Sequence, residues 1–353
     1  GPVRYWKLLA LAMNGQHKHQ EAAAVQKMLV DNSPGDLACR FDLSETLLMC
    51  GDFERGWREY HYRYSLPHTT RIERKVQMPR WDGRAIAGQT LLIHDEQGYG
   101  DTFQFLRLLP EVKRRSQAKI ILEIDKVTMS FAQRMDCLDG VIQRGQLPPP
   151  FTTHCEVMSL PMAMGLKMSD LPDSPMPYLK PDAVRLAHWQ KRLADLPRPL
   201  VALTWNGRPT PNPKRSVPFP ELAPLAMDGI TFLSIQKGEK ASEAKTPPAG
   251  MNLIDLNDEI KDFDDTAAIL SIADLFISID SGPVHLAGAL ARPAWVMLLH
   301  NADWRWFPHR EDSPWYPSLR LFRQPTFGDD WGDVVRRIAG GLRAWRDGLK
   351  SAA

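Results

Sequence analysis

The first part of the chain, residues 3–66, has apolar positions at the spacing of amphipathic helices and almost no strand signal. The segments "YWKLLALAMNGQHKHQEAAAVQKMLVDNSP" and "CRFDLSETLLMCGDFERGWREYHYRYSLP" follow the same order. Each has an apolar helix, a turn centred on glycine, a second amphipathic helix and a proline. This region is therefore predicted to be all-helical.

The two helical segments also predict a repeat, because Gly15 aligns with Gly51 and Pro34 with Pro67. The period is close to the roughly 34 residues of a tetratricopeptide unit. Each unit of such an array buries its face against a neighbour, so we expect further repeats upstream of Val3. The spacing is equally consistent with a plain four-helix lead-in.

From Thr90 onward the pattern changes to short β-branched runs that alternate with amphipathic segments, which is typical of parallel sheets covered by helices. The runs of the first block are "TLLIH", "KIILEI", "GVIQR" and "HCEV". Those of the second block are "PLVALTW", "ITFLSIQ", "NLIDL", "DLFISID", "PAWVMLL" and "LRLFR".

A linker, "LPDSPMPYLKPD", separates the two blocks, because its prolines can continue neither a helix nor a strand. The pattern predicts two doubly wound domains with a cleft between them and ligands at the carboxyl ends of the strands. The predicted regions are a helical region 1–66, a first α/β domain 67–182, a second α/β domain 183–328 and a last helix 329–353. We expect this last helix to cross back onto the first α/β domain.

The stretch "TLLIHDEQGYGDTFQFLRLLP" places a glycine-rich acidic turn between a buried strand and a helix. Gly98 and Gly100 would let the backbone approach a ligand or adopt positive φ without strain. Asp101 then opens the helix, where it is equally consistent with a capping residue and with a functional carboxylate.

A dinucleotide-binding turn is the competing interpretation, since the acidic Glu123 and Asp125 end the next strand. The third glycine of that fingerprint would fall at Phe103, where a phenylalanine would hinder close packing of helix on strand. The fingerprint therefore fails.

The second block contains a more favourable phosphate site in "DLFISIDSGPVHLAGALARP". A buried strand ends at Asp280, Ser281 and Gly282 form a turn, and a helix starts with Pro283, whose missing N–H costs nothing there. Free N–H groups and the helix dipole at such an end bind anions. Nothing here matches the lysine-containing glycine loop of NTPases.

Cations follow two other predicted strands: Lys214 and Arg215 in "NGRPTPNPKRS" and Lys237 in "SIQKG". Taken singly, each is more typical of solvated surface. Together, at strand ends that share one edge, they favour an anion site.

Composition and charge limit the classes of function and of site that the chain is expected to have. The net charge of +2 over 353 residues gives no basic field of the kind that nucleic acid requires. No apolar run has membrane-spanning length. The four cysteines have no CxxC spacing, which favours reduced thiols in a cytoplasmic protein over a disulfide frame or a zinc site.

Five segments together carry a resemblance: "EQGYGDTFQFLRLLP", "TWNGRP...KRSVPF", "FLSIQKG", "DFDDTAAILSIADLFISIDSGPVHLAGALARP" and "DWRWFPHREDSPWYPSLRLFRQ". From Leu47 onward the chain resembles bacterial tetratricopeptide-repeat proteins with a GT-B glycosyltransferase module, similar to the heptosyltransferases of glycosyltransferase family 9. The resemblance implies a GT-B fold of two Rossmann-like domains behind a tetratricopeptide-like segment. It also implies a nucleotide-sugar donor and, by likeness to repeat-bearing transferases, a protein acceptor such as a flagellin-like surface protein.

The resemblance also implies residue roles. Asp101 falls on the family's proposed general base, and the alignment leaves open whether Lys214 or Arg215 neutralises the departing phosphate. The implied donor-binding residues are Gly98, Gly100, Asn206, Lys214, Arg215, Gln236, Lys237, Asp280, Ser281, Gly282 and His285. A histidine in the first turn of a buried helix is also often a satisfied core residue, and that alternative stays open for His285.

Glycosyl transfer needs a base for the acceptor proton and positive charge for the leaving diphosphate. A helix N-terminus with Arg or Lys can supply that charge, so we expect no metal and no cofactor. The spacing "DFD" at 262–264 precedes a helix and indicates capping. The tryptophans of "DWRWFPHREDSPWYP" are more typical of a packed loop than of a base-stacking surface. The alternative function is a non-catalytic tetratricopeptide scaffold whose decayed transferase domain binds nucleotide or protein.

Overall fold

The computed structural model describes residues 2–65, 76–210, 212–328 and 330–352. The chain forms two compact units. Unit 1 comprises residues 1–175 and 301–310, and unit 2 comprises residues 176–300 and 311–353.

Unit 1 begins with an all-helical segment, as predicted. Its elements are α1 (Pro2–Gly15), α2 (His19–Asn32), α3 (Leu37–Met49), α4 (Phe53–Tyr60) and a 3-10 helix, His61–Ser65. Consecutive helices pack side by side, and apolar residues of α2 and α3 form a small core. Asp36 and Asp52 cap α3 and α4 by accepting hydrogen bonds from the N–H groups of Cys39 and Arg55.

The two turns of the predicted repeat differ in backbone conformation. Gly51 has φ 77°, the left-handed conformation that favours glycine, whereas in the first turn His17, and not Gly15, has a positive φ of 59°. Pro67, which would align with Pro34, lies outside the described residues. The helical segment is observed, and its tetratricopeptide nature remains a prediction.

The sheet of unit 1 has the order β3-β2-β1-β4, and its strands pair in parallel. Its strands are β1 (Thr90–His94), β2 (Lys119–Ile124), β3 (Gly140–Gln143) and β4 (Thr153–Glu156). The helices that alternate with them are α5 (Tyr99–Phe105), α6 (Leu109–Ser116), α7 (Met129–Gln133) and α8 (Leu160–Met164). The chain order reverses between β1 and β4, so the β1–α5 loop lies where parallel sheets usually bind ligands.

Unit 2 has a parallel sheet with the order β10-β9-β8-β5-β6-β7. Its strands are β5 (Leu200–Leu203), β6 (Thr231–Ser234), β7 (Leu253–Asp255), β8 (Leu275–Ile279), β9 (Ala294–Leu298) and β10 (Leu319–Arg323). The helices are α9 (Ala183–Leu193), α10 (Phe263–Ile272), α11 (Gly282–Ala289) and α12 (Gly332–Ala352). Here the order reverses between β5 and β8, so the β8–α11 loop lies at the switch point of this sheet.

Burial explains why the strand runs were readable from the sequence. Every residue of β5, β6 and β8 is buried, and helices cover parallel sheets on both faces, which selects continuous apolar runs. Among the described residues, each predicted run contributes a strand: three runs coincide with their strands, "HCEV" is displaced by one residue, and the others are shortened at one or both ends.

The observed units differ from the predicted regions. The helical segment and the first α/β sheet belong to one unit, and the boundary at Pro175–Met176 lies inside the predicted proline linker. The last helix was expected to return to the first α/β domain, but α12 packs on the core of unit 2, where Val334, Val335 and Ile338 join Val201 and Phe232. The late segment that belongs to unit 1 is Asn301–Arg310.

Cys39, Cys50, Cys137 and Cys155 are all free thiols, as their spacing predicted. Among the described helices, none combines the length and the apolar character needed to cross a membrane.

Candidate functional site

Asp101 lies in the first turn of α5, directly after the switch point of the unit 1 sheet. Its Oδ2 accepts a hydrogen bond from the N–H of Gly98 at 2.9 Å. The side chain therefore closes the helix start from its third position, and part of the predicted capping role is real. With 20% of the side chain exposed, Asp101 still reaches solvent.

The residue with positive φ in this turn is Gln97, which precedes Gly98, and neither of the two glycines has a positive φ. Gln97 has φ 62°, whereas Gly98 has φ −92° and Gly100 is helical. Gly98 instead provides space, because a Cβ there would lie 3.2 Å from Oδ2 of Asp101. Phe103, which broke the dinucleotide fingerprint, is fully buried and packs edge-on against Phe131.

Arg305 is the residue of this site that sequence reasoning missed. Its Nη2 donates to Oδ1 of Asp101, its Nε donates to Gln104 at 2.6 Å, and its Nη1 donates to Asp303 at 2.8 Å. The guanidinium also lies over the ring of Trp304, 4.3 Å from its centroid. Burial by itself lowers the pKa of Arg305, but the carboxylates of Asp303 and Asp101 raise it above its ordinary value. Arg305 is a permanent cation at the candidate base.

The helical segment contributes a carboxyl group to the same environment. Glu45 lies on the exposed face of α3. The surrounding protein raises its pKa through desolvation, although solvent reaches the side chain, and the charges of Asp303 and Asp42 act in the same direction. The positive charge of Arg305 opposes this rise. Glu45 is thus electrostatically coupled to the partners of Asp101.

In unit 2, Asp280 and Ser281 form the turn between β8 and α11, as predicted. The side chain of Asp280 is 22% exposed, and its Oδ1 lies 3.8 Å from Nε2 of His285. The helix that follows has Pro283 in its first turn, and its first N–H groups have no partner within the helix. The structure therefore contains the helix N-terminus on which the phosphate prediction rests.

His285 is buried, with 5% of its surface exposed, and its Nδ1 is hydrogen-bonded to the hydroxyl of Tyr316 at 2.9 Å. Gly288 makes this contact possible, because a Cβ there would lie 2.3 Å from Cδ1 of the Tyr316 ring. His285 consequently has the environment of a satisfied core histidine, while its Nε2 faces Asp280.

Gln236 connects two loops of unit 2. Its Oε1 accepts hydrogen bonds from the N–H groups of Trp205 and Asn206 at 3.0 and 2.9 Å, and its Nε2 donates to the carbonyls of Asn206 and Lys237 at 2.9 and 2.7 Å. These four bonds use the whole capacity of a primary amide. Gln236 therefore holds the β5 and β6 loops in place, and the donor contact expected of it stays a prediction.

The predicted cations of unit 2 have different environments. Lys237 donates its Nζ protons to the carbonyls of Asn257 and Ile260 at 2.8 and 2.9 Å, which leaves one of its three N–H bonds. Lys214 is exposed. Arg215 packs on Gly207, where a Cβ would lie 3.2 Å from its Nε and 3.3 Å from Ile279 at the end of β8. Its Nε is buried without a hydrogen-bond partner among the described residues.

Two predictions about neighbouring segments are confirmed. Asp262 of "DFD" caps α10 by accepting hydrogen bonds from the N–H groups of Asp264 and Asp265. The tryptophans of the aromatic segment are packed, since Trp304, Trp306 and Trp315 are almost fully buried.

Within the described part of the chain, His94, His154 and Glu156 form a buried group whose potential metal-ligand atoms lie within 4.8 Å of one another. Both oxygens of Glu156 already accept hydrogen bonds from Arg80, at 2.7–3.1 Å. Nε2 of His94 and Nδ1 of His154 are 3.2 Å apart, which fits a hydrogen bond between the two rings. These contacts account for the group as a buried polar network.

Comparison with known proteins gives a family match for part of unit 2. Residues 230–300, which include Gln236, Lys237 and the Asp280 turn, match the model of glycosyltransferase family 9 (heptosyltransferase). The chain carries a glycosyltransferase family 9-like domain. The matched residues contain β6 to β9 and the whole of α11, whose start is the helix N-terminus described above.

Solved structures extend the similarity to the fold. The family 9 glycosyl transferase of Veillonella parvula is 11% identical, with a TM-score of 0.52, and the match covers 69% of this chain and 88% of that one. The ADP-heptose lps heptosyltransferase II of E. coli is 15% identical, with a TM-score of 0.54, and the match covers 75% and 100%. At these identities the likeness shows the fold, which is α/β and GT-B-like.

A curated relative, Protein FlbA of Caulobacter vibrioides, is 29% identical over 344 residues. The match covers 88% of this chain and 56% of the relative. The chain thus spans just over half the length of that relative.

Proposed function

We propose that the protein is a metal-independent glycosyltransferase that moves a sugar from a nucleotide-sugar donor to a hydroxyl group of a protein or glycan acceptor. One observation carries this proposal. The acidic elbow of unit 1 and the Asp280 turn of unit 2 each lie at the switch point of a parallel sheet, where such folds bind their ligands. The similarity to glycosyltransferase family 9 supports the same reaction class.

Asp101 is the proposed general base. A carboxylate has about four acceptor sites, and the bonds from Gly98 and Arg305 use two of them. The remaining sites can accept the proton of an acceptor hydroxyl. As that proton moves to Asp101, the acceptor oxygen bonds to the anomeric carbon of the sugar, and the diphosphate leaves with the electrons of the broken C–O bond.

Unit 2 is the proposed donor-binding unit. The N-terminus of α11 at Ser281 and Gly282 would hold the diphosphate through backbone N–H groups. Of the two cations that the alignment leaves open, Arg215 is favoured over Lys214, because its buried Nε lies beside the end of β8. A guanidinium there would stabilise the negative charge that develops on the leaving group, so that no metal is required.

The other proposed donor residues of unit 2 act in two ways. Asn206 and Lys237 lie on the two loops that Gln236 joins, and one N–H of Lys237 is available for a phosphate. Gln236 would support donor binding indirectly, by fixing these loops. Asp280 and His285 would shape the sugar side of the same turn.

The helical segment supports a protein acceptor. Glu45 lies on the exposed face of α3, and α3 packs against the segment Trp304–Trp306 that contains Arg305, so an acceptor bound on α3 would lie near Asp101. We propose that the acceptor, or a carrier that delivers it, is a bacterial protein in the cytoplasm, bound partly by these helices.

The test is turnover of nucleotide sugars, preceded by thermal unfolding with ADP, UDP, GDP and CMP and their sugar conjugates to find the nucleotide that raises the melting temperature. A transferase releases the nucleotide slowly with water and faster with an acceptor. Stabilisation by a nucleotide without any release, for every donor and with authentic acceptor protein present, would favour the alternative of a non-catalytic scaffold.

A further inference from the structure

The elbow that carries Asp101 is held by the helical segment through two consecutive residues, Glu96 and Gln97. At Gln97, the side-chain amide donates to the hydroxyl of Tyr60 at 3.0 Å. Gln97 also has a φ of 62°, which is uncommon for a residue with a side chain and persists when the surrounding structure holds it. The contact with Tyr60, at the end of α4, is one such restraint.

The restraint at Glu96 is a buried ion pair with Arg63 of the 3-10 helix His61–Ser65. Nη2 of Arg63 donates to Oε1 of Glu96 at 2.7 Å, and both side chains are 1% exposed. The hydroxyl of Tyr64 donates to the other carboxylate oxygen at 2.7 Å. Nη2 of Arg63 also donates to Ser159 at 2.9 Å, which connects the network to the 3-10 helix Val157–Ser159 that follows β4.

The carboxylate of Glu96 accepts four hydrogen bonds, which is about its full capacity. Oε1 of Glu96 accepts from Arg63 and from the N–H of Met158, and Oε2 accepts from Tyr64 and from Nε of Arg63. A buried ion pair contributes little net stability when it replaces a well-packed apolar pair, but it specifies one arrangement of its partners. Here the arrangement specified is the chain direction between β1 and α5.

One residue, Gly98, connects Gln97 to Asp101. The torsion angles at Gln97 orient the N–H of Gly98, and that N–H donates to Oδ2 of Asp101. A change at Gln97 would therefore turn the donor that orients the carboxylate.

We propose that Tyr60 and Arg63 of the helical segment are positioning residues, which act through Gln97 and Glu96 to hold Asp101 in its reactive orientation. The helical segment would then be part of the catalytic unit as well as an acceptor surface. This inference rests on the proposed role of Asp101 as the base.

The principal variant is Tyr60→Phe, which removes one hydroxyl and keeps the ring that packs against Trp57 and Trp304. The matched control is Tyr62→Phe in the neighbouring 3-10 helix, whose ring lies beside Arg40 in the helical segment. Loss of one hydrogen bond is expected to speed amide hydrogen exchange in the peptide that covers residues 96–102 by roughly three- to tenfold, with no change in the control.

The kinetic arm separates positioning from binding. In Tyr60→Phe we expect kcat for transfer and for donor hydrolysis to fall by about three- to tenfold, with KM for the donor unchanged. Arg63→Lys keeps the charge but not the forked geometry, and we expect a larger loss of kcat. Arg63→Lys leaves a buried ion pair with fewer hydrogen bonds, so this variant can fail to fold. Tyr60→Phe is therefore the variant on which the inference is judged.

The outcomes distinguish this inference from the proposed function. Unchanged exchange in the 96–102 peptide of Tyr60→Phe overturns the inference, whatever the kinetics. Normal kcat in Tyr60→Phe, together with an inactive Asp101→Asn, also overturns it and leaves the base intact. Faster exchange with an active Asp101→Asn shows that the elbow is held as described and that Asp101 is not the base.

Discussion

Arg305 donates a hydrogen bond from Nη2 to Oδ1 of Asp101, across 204 positions of the chain. The pair joins the first turn of α5 to Asn301–Arg310, the late segment of unit 1. Since the guanidinium is also bonded to Gln104 and Asp303, its position does not depend on Asp101 alone. The carboxylate thus has a fixed cation on one side and acceptor sites left for a substrate.

Asp101→Asn tests the base. The amide keeps the size of the carboxylate but cannot take a proton, so we expect turnover to fall by roughly a hundredfold or more at unchanged donor affinity. The measurement is release of nucleoside diphosphate with and without acceptor. Asp303→Asn is the control, because it removes another carboxylate from Arg305 without touching Asp101. A variant that melts early but turns over at the wild-type rate would show that Asp101 only closes the helix.

Chelation tests the assignment of the leaving-group charge to Arg215 and the start of α11. We expect the rate with EDTA to equal the rate without it, because N–H groups and a guanidinium replace a divalent cation. Arg215→Gln should lower kcat by about tenfold or more, while Lys214→Gln, which changes a neighbouring exposed cation, should have a smaller effect. Strict dependence on magnesium or manganese would contradict the assignment.

The α3 face tests recognition of a protein acceptor. Asp42→Asn with Glu45→Gln changes two exposed residues one turn apart, while Asp31→Asn changes an exposed carboxylate on α2 as control. We expect transfer to the acceptor to fall by several-fold and donor hydrolysis by water to hold, since only the former needs the bound protein. If the double variant transferred sugar to the authentic acceptor at the wild-type rate, the helices would be structural support.

Tyr316→Phe tests the role of His285 in unit 2. The change removes the 2.9 Å hydrogen bond to Nδ1 and keeps the ring that packs on Gly288. If His285 shapes the sugar side of the donor site, affinity for the complete nucleotide sugar should fall more than affinity for the nucleoside diphosphate, as measured by calorimetry. An equal fall in both, or no fall in either, would leave His285 as a core residue.

The Arg80–Glu156 pair predicts a dependence of stability on pH. Burial by itself raises the pKa of Glu156, but the hydrogen bonds from Arg80 outweigh it and lower the pKa from 4.5 to about 2. Because the folded-state pKa is the lower one, the stabilisation is complete above about pH 4.5 and is lost as pH falls through about 2. A shift of this size corresponds to roughly 3 kcal/mol of unfolding free energy.

The measurement is urea unfolding of Glu156→Gln at pH 7, 4 and 3. We expect its destabilisation to shrink as pH falls, while Glu111→Gln, which removes a partly exposed carboxylate paired with Arg114, should have a small effect throughout. If Glu156→Gln lowered the free energy of unfolding equally at pH 7 and pH 3, the charge of Glu156 would not stabilise the fold.

Local pattern determined the elements of this protein. Runs such as "TLLIH" and "DLFISID" became β1 and β8 because a strand covered on both faces requires consecutive apolar residues. Parallel strands share one edge for their carboxyl ends, so the glycine-rich turn and the Asp280 turn could be placed at ligand-binding edges from the sequence. The caps at Asp36, Asp52 and Asp262 were set by residues within one turn.

Tertiary structure alone decided which distant residues meet. Nothing in "DWRWFPH" indicates that Arg305 pairs with Asp101, because that contact depends on the path of the chain between them. The same holds for Arg63 with Glu96, for the saturated amide of Gln236 and for the packing of α12 on unit 2. A side chain's role as ligand contact or internal support depends on how many of its hydrogen bonds the protein itself satisfies, and that number exists only once the chain has folded.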